Sequence, residues 1–202
     1  ALAAIGASFP IFYMLISFMI GIGSGATIVI SQYYGAKETE KVKRTISTIF
    51  IFLFFASLVI MFIGIYYSRQ IFELLNVGED VLPHSVAYFR VYMTGMIAFF
   101  GFNVISSILR GLGDSKTPLR FLIFATVLNI VLDVLFVVVF SWGIEAAAWA
   151  TVISQFAALG GAIWYIERIN HIISFKIRQW VFDWELFKQS LRIGLPTGFQ
   201  QT

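Results

Sequence analysis

The sequence predicts an all-α protein that crosses a membrane several times. Of its 202 residues, 59% are apolar and 17% are aromatic, whereas only 12% are charged. A soluble domain carries about twice that share of charge, and so few charges could not cover so much apolar surface in water. The composition therefore excludes an ordinary soluble domain, a disordered chain and a fibrous repeat. The chain has no cysteine, which also excludes disulfide scaffolds and thiolate metal sites.

Long uncharged stretches locate the membrane-spanning helices, each of which needs about 20 apolar residues. One stretch, 121–144, contains a single charged residue, Asp133, and four others contain none: 1–36, 45–68, 91–109 and 146–166. Transmembrane β-strands would instead alternate in hydropathy over about 10 residues. With polar ends allowed for, the five predicted spans are 8–34, 46–68, 89–110, 119–141 and 146–166.

Both ends of the sequence predict that it is part of a longer chain. It begins with Ala1 rather than Met, and the first span has no basic residue before it, so we do not expect a cleaved signal peptide. A sixth helix is predicted to begin near Leu191 and is cut off at Thr202.

Lys and Arg are divided unequally between the two sides of the predicted bundle. On one side the connections hold only Arg69 and Arg90, whereas 12 of the 14 basic residues lie in three segments on the other side: 35–45, 110–120 and 167–192. Short loops rich in Lys and Arg stay in the cytoplasm, so these three segments are predicted to be cytoplasmic. Their charge is expected to contact anionic lipid, not nucleic acid.

The stretch 182–193 has the pattern of an amphipathic helix. Asp183 can cap its first turn, and an apolar stripe follows, formed by Trp184, Phe187 and Leu191. We expect this helix to lie on the cytoplasmic surface and to link two transmembrane bundles. A helix that binds a partner protein is the alternative.

Asp133 is the only ionisable residue well inside a predicted span. Placing it there costs about 2.5–3.5 kcal/mol, so such a residue normally serves a function, with a hydrogen bond between helices as the alternative. From the rise per residue, Asp133 and Gln155 lie roughly 13 Å below the outer surface. Asn129 and Asn103 lie roughly 18 to 19 Å deep, and Thr151 roughly 7 Å. Their oxygens suit a hard cation, or a carboxylate that takes up a proton.

Three other features of the sequence are weaker evidence of a functional site. Gly21-x-x-x-Gly25 predicts close packing of helices, with a flexible bend as the alternative. The segment 111–116 superficially resembles a phosphate-binding loop, but it follows a membrane helix and lacks the spacing, so it is predicted to be a tight turn. His84 and His171 both lie in polar connections, and no nucleophile is paired with a base inside a span, so we predict that the protein is not an enzyme.

Several motifs, in order along the chain, resemble those of the multidrug and toxic compound extrusion (MATE) transporters. Residues 108–118, with the sequence Ile-Leu-Arg-Gly-Leu-Gly-Asp-Ser-Lys-Thr-Pro, resemble that family's loop after its fourth helix. The other matches are to the family's second, fifth, sixth and seventh helices: 2–6, 21–26 and 32–37 for the second, 129–133 for the fifth, 143–151 for the sixth and 191–196 for the seventh.

The resemblance implies a protein of twelve helices in two six-helix lobes. Residues 1–168 would form the first-lobe transmembrane bundle without its first helix, 169–190 a cytoplasmic amphipathic linker, and 191–202 the start of a second-lobe helix. By motif match the coupling site for a cation or proton would comprise four residues, with Gln155 as a possible lining residue of the cavity: Asp133, Asn129, Thr151 and Asn103. The acidic residue of the family's first helix has no counterpart in this chain.

The resemblance also implies a function. The whole protein would be a multi-pass antiporter of the plasma or inner cell membrane, exporting amphipathic or cationic compounds in exchange for Na⁺ or H⁺. It would need no cofactor beyond a bound Na⁺, bind no nucleic acid, and act as a monomer. A lipid-linked oligosaccharide flippase of the same wider superfamily is the alternative, but no predicted span has a basic residue deep inside. A receptor or scaffold that does not transport would have no need of Asp133 at this depth.

Overall fold

The computed structural model describes residues 17, 21–75, 77–169 and 180–199, and all regular structure in this part of the chain is helical. The elements, in chain order, are α1 (21–35), α2 (Thr39–Tyr66), α3 (Ser68–Leu74), α4 (Leu82–Thr94), α5 (Met96–Gly111), α6 (Lys116–Asp133, continued by a π-helix over Val134–Val139), α7 (Ile144–Ile169) and α8 (Trp184–Phe199).

The helices agree with most of the predicted spans. Three are long and apolar enough to cross a membrane, at Thr39–Tyr66, Lys116–Val139 and Glu145–Arg168. The predicted span 89–110 is divided between α4 and α5, which meet at Gly95 with a bend of 44° and together qualify as one broken span. The first predicted span, 8–34, lies partly outside the described residues. The chain is an integral membrane protein.

The core lies around α5, which packs between α2 and α7. Its buried side chains include Phe100, Val104 and Ile108, and they meet Ile49 of α2 and Ile166 of α7 in one apolar cluster. By contrast, α6 lies at the edge of the bundle, and the most apolar 18-residue stretch of Lys116–Val139 has no buried residue. The side chains of this stretch are at most half-buried, and α6 packs against α7 and α5.

Helices α1 and α8 cross at very short range. A Cβ atom on Gly25 would lie 2.8 Å from the Cα of Gly194 and would collide with the backbone carbonyl of Ser190. A Cβ atom on Gly194 would likewise collide with the carbonyl of Gly21. Only glycine permits two helix backbones to approach this closely, so the prediction of close packing from Gly21-x-x-x-Gly25 is confirmed.

The predicted amphipathic stretch is the first half of one longer helix. Asp183 caps α8 as predicted, because its Oδ1 accepts the backbone N–H of Glu185 at 3.0 Å and of Leu186 at 3.2 Å. The predicted apolar stripe is only partly confirmed. Phe187 is buried, but Trp184 is 56% exposed, and Leu186 is buried instead of it. Residues 170–179 of the predicted linker lie outside the described residues.

The basic segments meet at one end of the bundle. The backbone N–H of Asp183 donates to Thr48 Oγ1 at 2.9 Å, and the Asp183 carboxylate lies 3.9 Å from the guanidinium of Arg44, which brings the third basic segment to the first. Gly111, beside the second basic loop, lies against Ile30 near the end of α1. The segment 111–116 forms the predicted tight turn. Partial burial of Asp114 raises the pKa of its carboxyl. Hydrogen bonds from Thr117 and Lys116 lower the pKa by more than burial raises it, so the pKa lies below its usual value.

Candidate ion site

The first part of the site joins α6 to α7. Asn129 Nδ2 donates to Thr151 Oγ1 at 3.3 Å, and the Thr151 hydroxyl donates to the carbonyl of Ala147 at 3.1 Å. The sequence placed these two side chains about 12 Å apart in depth, which is wrong. The count assumed that α6 and α7 start at the same depth and run parallel to the membrane normal, and the contact between Asn129 and Thr151 shows that this assumption fails.

Asp133 lies at the point where α6 changes from an α-helix to a π-helix. The residue is half-buried, and its Oδ1 atom is fully buried without a hydrogen-bond partner among the described residues. A buried polar atom normally has a partner, and π-helical turns concentrate at functional sites. The unpartnered Oδ1 atom of Asp133, at the start of the π-helix, therefore marks this position as a candidate functional site.

The structure adds Tyr88 of α4, which the sequence analysis missed. The Tyr88 ring is 7% exposed, and its phenol lies within electrostatic reach of the Asp133 carboxylate. It stacks on Tyr92 at 6.4 Å between ring centroids, and Tyr92 is hydrogen-bonded to the side chain of Gln155. The signal in the sequence was weak, because Tyr88 falls one residue before the predicted span 89–110.

Gln155, predicted as a possible cavity-lining residue, lies at the bend between α4 and α5. A Cβ atom on Gly95 would lie 3.2 Å from its Oε1 atom and 2.9 Å from a methyl group of Val152. The glycine therefore lets α7 approach the bend closely. Through Tyr92, Gln155 connects that bend to the Tyr88 ring.

Asn103 is placed elsewhere. Its Nδ2 atom donates to the carbonyl of Phe99, one turn earlier on α5, at 2.8 Å. Its side chain lines a separate cleft of about 250 Å³ between α1 and α5, together with Ser24, Thr27 and Arg110. We call it the arginine cleft. Depth alone suggested a common site with Asn129, but depth does not determine which way a side chain points around its helix axis.

The arrangement around Asp133 supplies oxygen atoms in a partly dehydrated setting. A carboxylate oxygen without a partner, an amide and a hydroxyl can hold a proton or a hard cation such as Na⁺. Among the described residues there is no group of three His, Cys, Asp or Glu side chains that could hold a transition metal.

Comparison with known proteins identifies the class. The family model MatE matches residues 1–135. The chain is 39% identical over 205 residues to the probable multidrug resistance protein YoeA of Bacillus subtilis (strain 168), and this match covers 98% of the chain and 44% of YoeA. It is 26% identical to the multidrug export protein MepA of Staphylococcus aureus (strain MRSA252), covering 96% of the chain and 43% of MepA.

Solved structures agree with these relatives. An inward-facing and an outward-facing structure, each described as a multidrug resistance MATE family transporter of the MOP superfamily, match with TM-scores of 0.93 and 0.91. Both are 26% identical to the chain, and the matches cover 99% of it but only 46% and 45% of the solved chains.

The architecture is thus that of half a membrane transporter. The chain belongs to the MatE family, which is a family of transporters and not of enzymes. The predicted resemblance is confirmed, and the chain spans less than half the length of the relatives that it matches.

Proposed function

We propose that this chain forms most of the first lobe of a secondary antiporter that exports amphipathic or cationic compounds in exchange for Na⁺ or H⁺. The observation that carries the proposal is the buried Oδ1 atom of Asp133, which has no partner among the described residues. In a low-dielectric site a carboxylate without a fixed cation must take a proton or a mobile cation, and either one can be exchanged. Asp133 would then carry the coupling charge.

Asn129, one turn before Asp133 on α6, and Thr151, which is hydrogen-bonded to it, are the neutral groups nearest that carboxylate in the proposed site. Asn129 and Thr151 are neutral and already hydrogen-bonded to each other, so they can hold a ligand in place but cannot balance its charge. Asn103 is no longer part of the proposal, because its cleft is separate.

Exchange requires two states of the whole protein that bind the ion and the exported compound unequally. The chain matches an inward-facing and an outward-facing transporter almost equally well. This similarity supports a mechanism in which the first lobe keeps its fold while its position relative to the second lobe changes. The proposed orientation has the basic segments 35–45, 110–120 and 167–192 in the cytoplasm, in the plasma or inner cell membrane, and the proposed transporter is a monomer.

The relatives named for multidrug resistance favour drug export over the flippase alternative. The test uses the full-length protein in proteoliposomes, with ethidium as a cationic amphipathic probe and an imposed Na⁺ or H⁺ gradient. Asp133→Asn keeps the shape of the side chain and removes its charge, so gradient-driven export should fall to the level of empty vesicles. Glu145→Gln removes an exposed carboxylate from the same pair of helices and should export normally. Undiminished export by Asp133→Asn would refute the assignment.

A further inference from the structure

The two basic residues outside the three basic segments lie in one cleft. Arg69 of α3 and Arg90 of α4 are far apart in sequence, yet both line a cleft of about 850 Å³ between these helices. Its lining also includes two carboxylates and an apolar wall, to which these residues belong: Glu73, Glu79, Leu82 and Val86. The proposed ion site does not involve this cleft, which we call the α3–α4 cleft.

Arg90 is held in place by the protein itself. Its Nε atom donates to Ser68 Oγ at 2.8 Å, and Ser68 is fully buried and donates in turn to the carbonyl of Ile65 at 2.8 Å. Phe72 and Phe89 are also buried and meet edge to face at 5.4 Å, which fixes α3 against α4. The Arg90 guanidinium is therefore positioned before any ligand arrives.

The charges of the cleft are only half paired. Arg69 Nε donates to Glu73 Oε1 at 2.7 Å, so these two groups satisfy each other. Among the described residues, Arg90 has no carboxylate within 4.0 Å and Glu79 has no basic partner within that distance. One cation and one carboxylate remain available in a cleft of zero formal charge, which complements a zwitterion better than an anion.

The surroundings place the cleft at the level of lipid headgroups. Tyr66 and Tyr67, at the end of α2 next to α3, are 73% and 48% exposed, and Leu74 at the end of α3 is 82% exposed. Exposed tyrosines at the end of a membrane helix mark the membrane–water interface. A ligand in this cleft would thus have water on one side and hydrocarbon on the other.

We propose that the α3–α4 cleft binds a zwitterionic phospholipid of the phosphatidylethanolamine type. The lipid phosphate contacts the guanidinium of Arg90, the ammonium group contacts Glu79, and the glycerol and first acyl carbons lie against Leu82 and Val86. Free phosphate would leave the apolar wall uncovered. A phosphatidylglycerol headgroup has no ammonium for Glu79, and the choline headgroup has no N–H to donate. In the proposed orientation the lipid comes from the outer leaflet.

The test measures lipid binding to the purified, delipidated full-length protein by native mass spectrometry. Phosphatidylethanolamine should bind several-fold more tightly than phosphatidylglycerol or phosphatidylcholine, and inorganic phosphate should not compete. Arg90→Gln removes one charge-assisted contact and should weaken phosphatidylethanolamine binding about tenfold. Arg120→Gln alters an exposed arginine at the opposite end of the bundle and should change nothing.

Glu79→Gln provides the second variant, because it leaves the bond between Arg90 and Ser68 intact. It should abolish the preference for phosphatidylethanolamine over phosphatidylglycerol while the protein keeps its thermal stability. Equal binding of these two lipids to the unmodified protein, or unchanged selectivity in Glu79→Gln, would overturn the proposal. Competition by inorganic phosphate would overturn it as well. Ion-driven export is not part of the measurement, so the two proposals fail independently.

Discussion

The polar cluster at Asp133 and the arginine cleft carry opposite charges and are built in opposite ways. In the first, a carboxylate oxygen is fully buried and has no partner among the described residues. In the second, Arg110 is exposed at the end of α5, where it donates to Ser107 Oγ at 3.1 Å and has no carboxylate within 4.0 Å in the described part of the chain. One oxygen of the acid is therefore cut off from both water and protein partners, whereas the base has a protein partner and an exposed side chain.

Distance keeps the two charges from neutralising each other. From Lys116, beside the turn that follows Arg110, α6 runs for 18 residues to Asp133. At about 1.5 Å per residue this separates the charges by about 25 Å along the bundle. Opposite charges within contact distance would form a permanent pair and lock the site. In the proposed mechanism their separation leaves Asp133 free to exchange an ion, and substitutions can test this difference between the two regions.

The largest effect is expected from a fixed cation beside Asp133. Asn129 lies one turn before Asp133 on the same face of α6, so Asn129→Lys places an ammonium group next to the carboxylate. Gradient-driven ethidium export by the full-length protein should then fall to background, as for Asp133→Asn. Asn103→Lys is the matched control, since it puts the same charge into the arginine cleft. If both variants keep the same ion dependence of export, the two regions are not distinct.

A large effect on stability is expected where α1, which forms one wall of the arginine cleft, crosses α8. Gly25→Ala forces a methyl group into backbone atoms of Ser190 and Gly194, which cannot move as a flexible side chain could. The cost should be about 1–3 kcal/mol, seen as a lower unfolding temperature of the full-length protein. Gly160→Ala meets no atom within 4 Å and should leave the temperature unchanged or slightly higher. Equal melting of both variants would contradict the close crossing.

A smaller effect is expected for a single neutral ligand of the ion. Thr151→Ala removes the hydroxyl that accepts from Asn129 and should raise the ion concentration for half-maximal export about fivefold, as the loss of one hydrogen bond would. Ser154→Ala is the control on the same helix, because among the described residues its buried hydroxyl bonds only to the carbonyl of Thr151. An equal change in both variants would point to a general disturbance of α7.

The smallest effect is expected for Asn103→Ala. Asn103 bonds to its own helix and lines the arginine cleft, so the ion concentration for half-maximal export should change by less than about twofold. A change as large as that of Thr151→Ala would return Asn103 to the ion site and support the original grouping by depth.

The features that the sequence predicted are those that hydropathy and charge determine directly. The spans of α2, α6 and α7 follow from long uncharged stretches, because the bilayer requires helices of that length. The predicted ends of these spans agree less well with the ends of the helices. The short helix α3 and the bend at Gly95 were not predicted, since both depend on contacts with other helices rather than on local composition.

The same limit applies to the candidate site. Asp133, Asn129 and Thr151 could be chosen from the sequence because polar residues inside a span are costly. The π-helix after Asp133 could not, since six apolar residues in a row carry no sign of it. Asn103 lines a different cleft from Asn129, and Tyr88 was missed, for one reason: the rotation of each helix about its axis is determined by tertiary packing.

The most direct test is infrared difference spectroscopy of the purified full-length protein, which detects the C=O stretch of a protonated carboxyl group. If Asp133 is the exchangeable site, raising the pH or adding Na⁺ should remove a carboxyl band from the unmodified protein, and this change should be absent from Asp133→Asn. Arg110→Gln and Asn103→Ala should retain it. The account is contradicted if Asp133→Asn shows the same loss of the band as the unmodified protein.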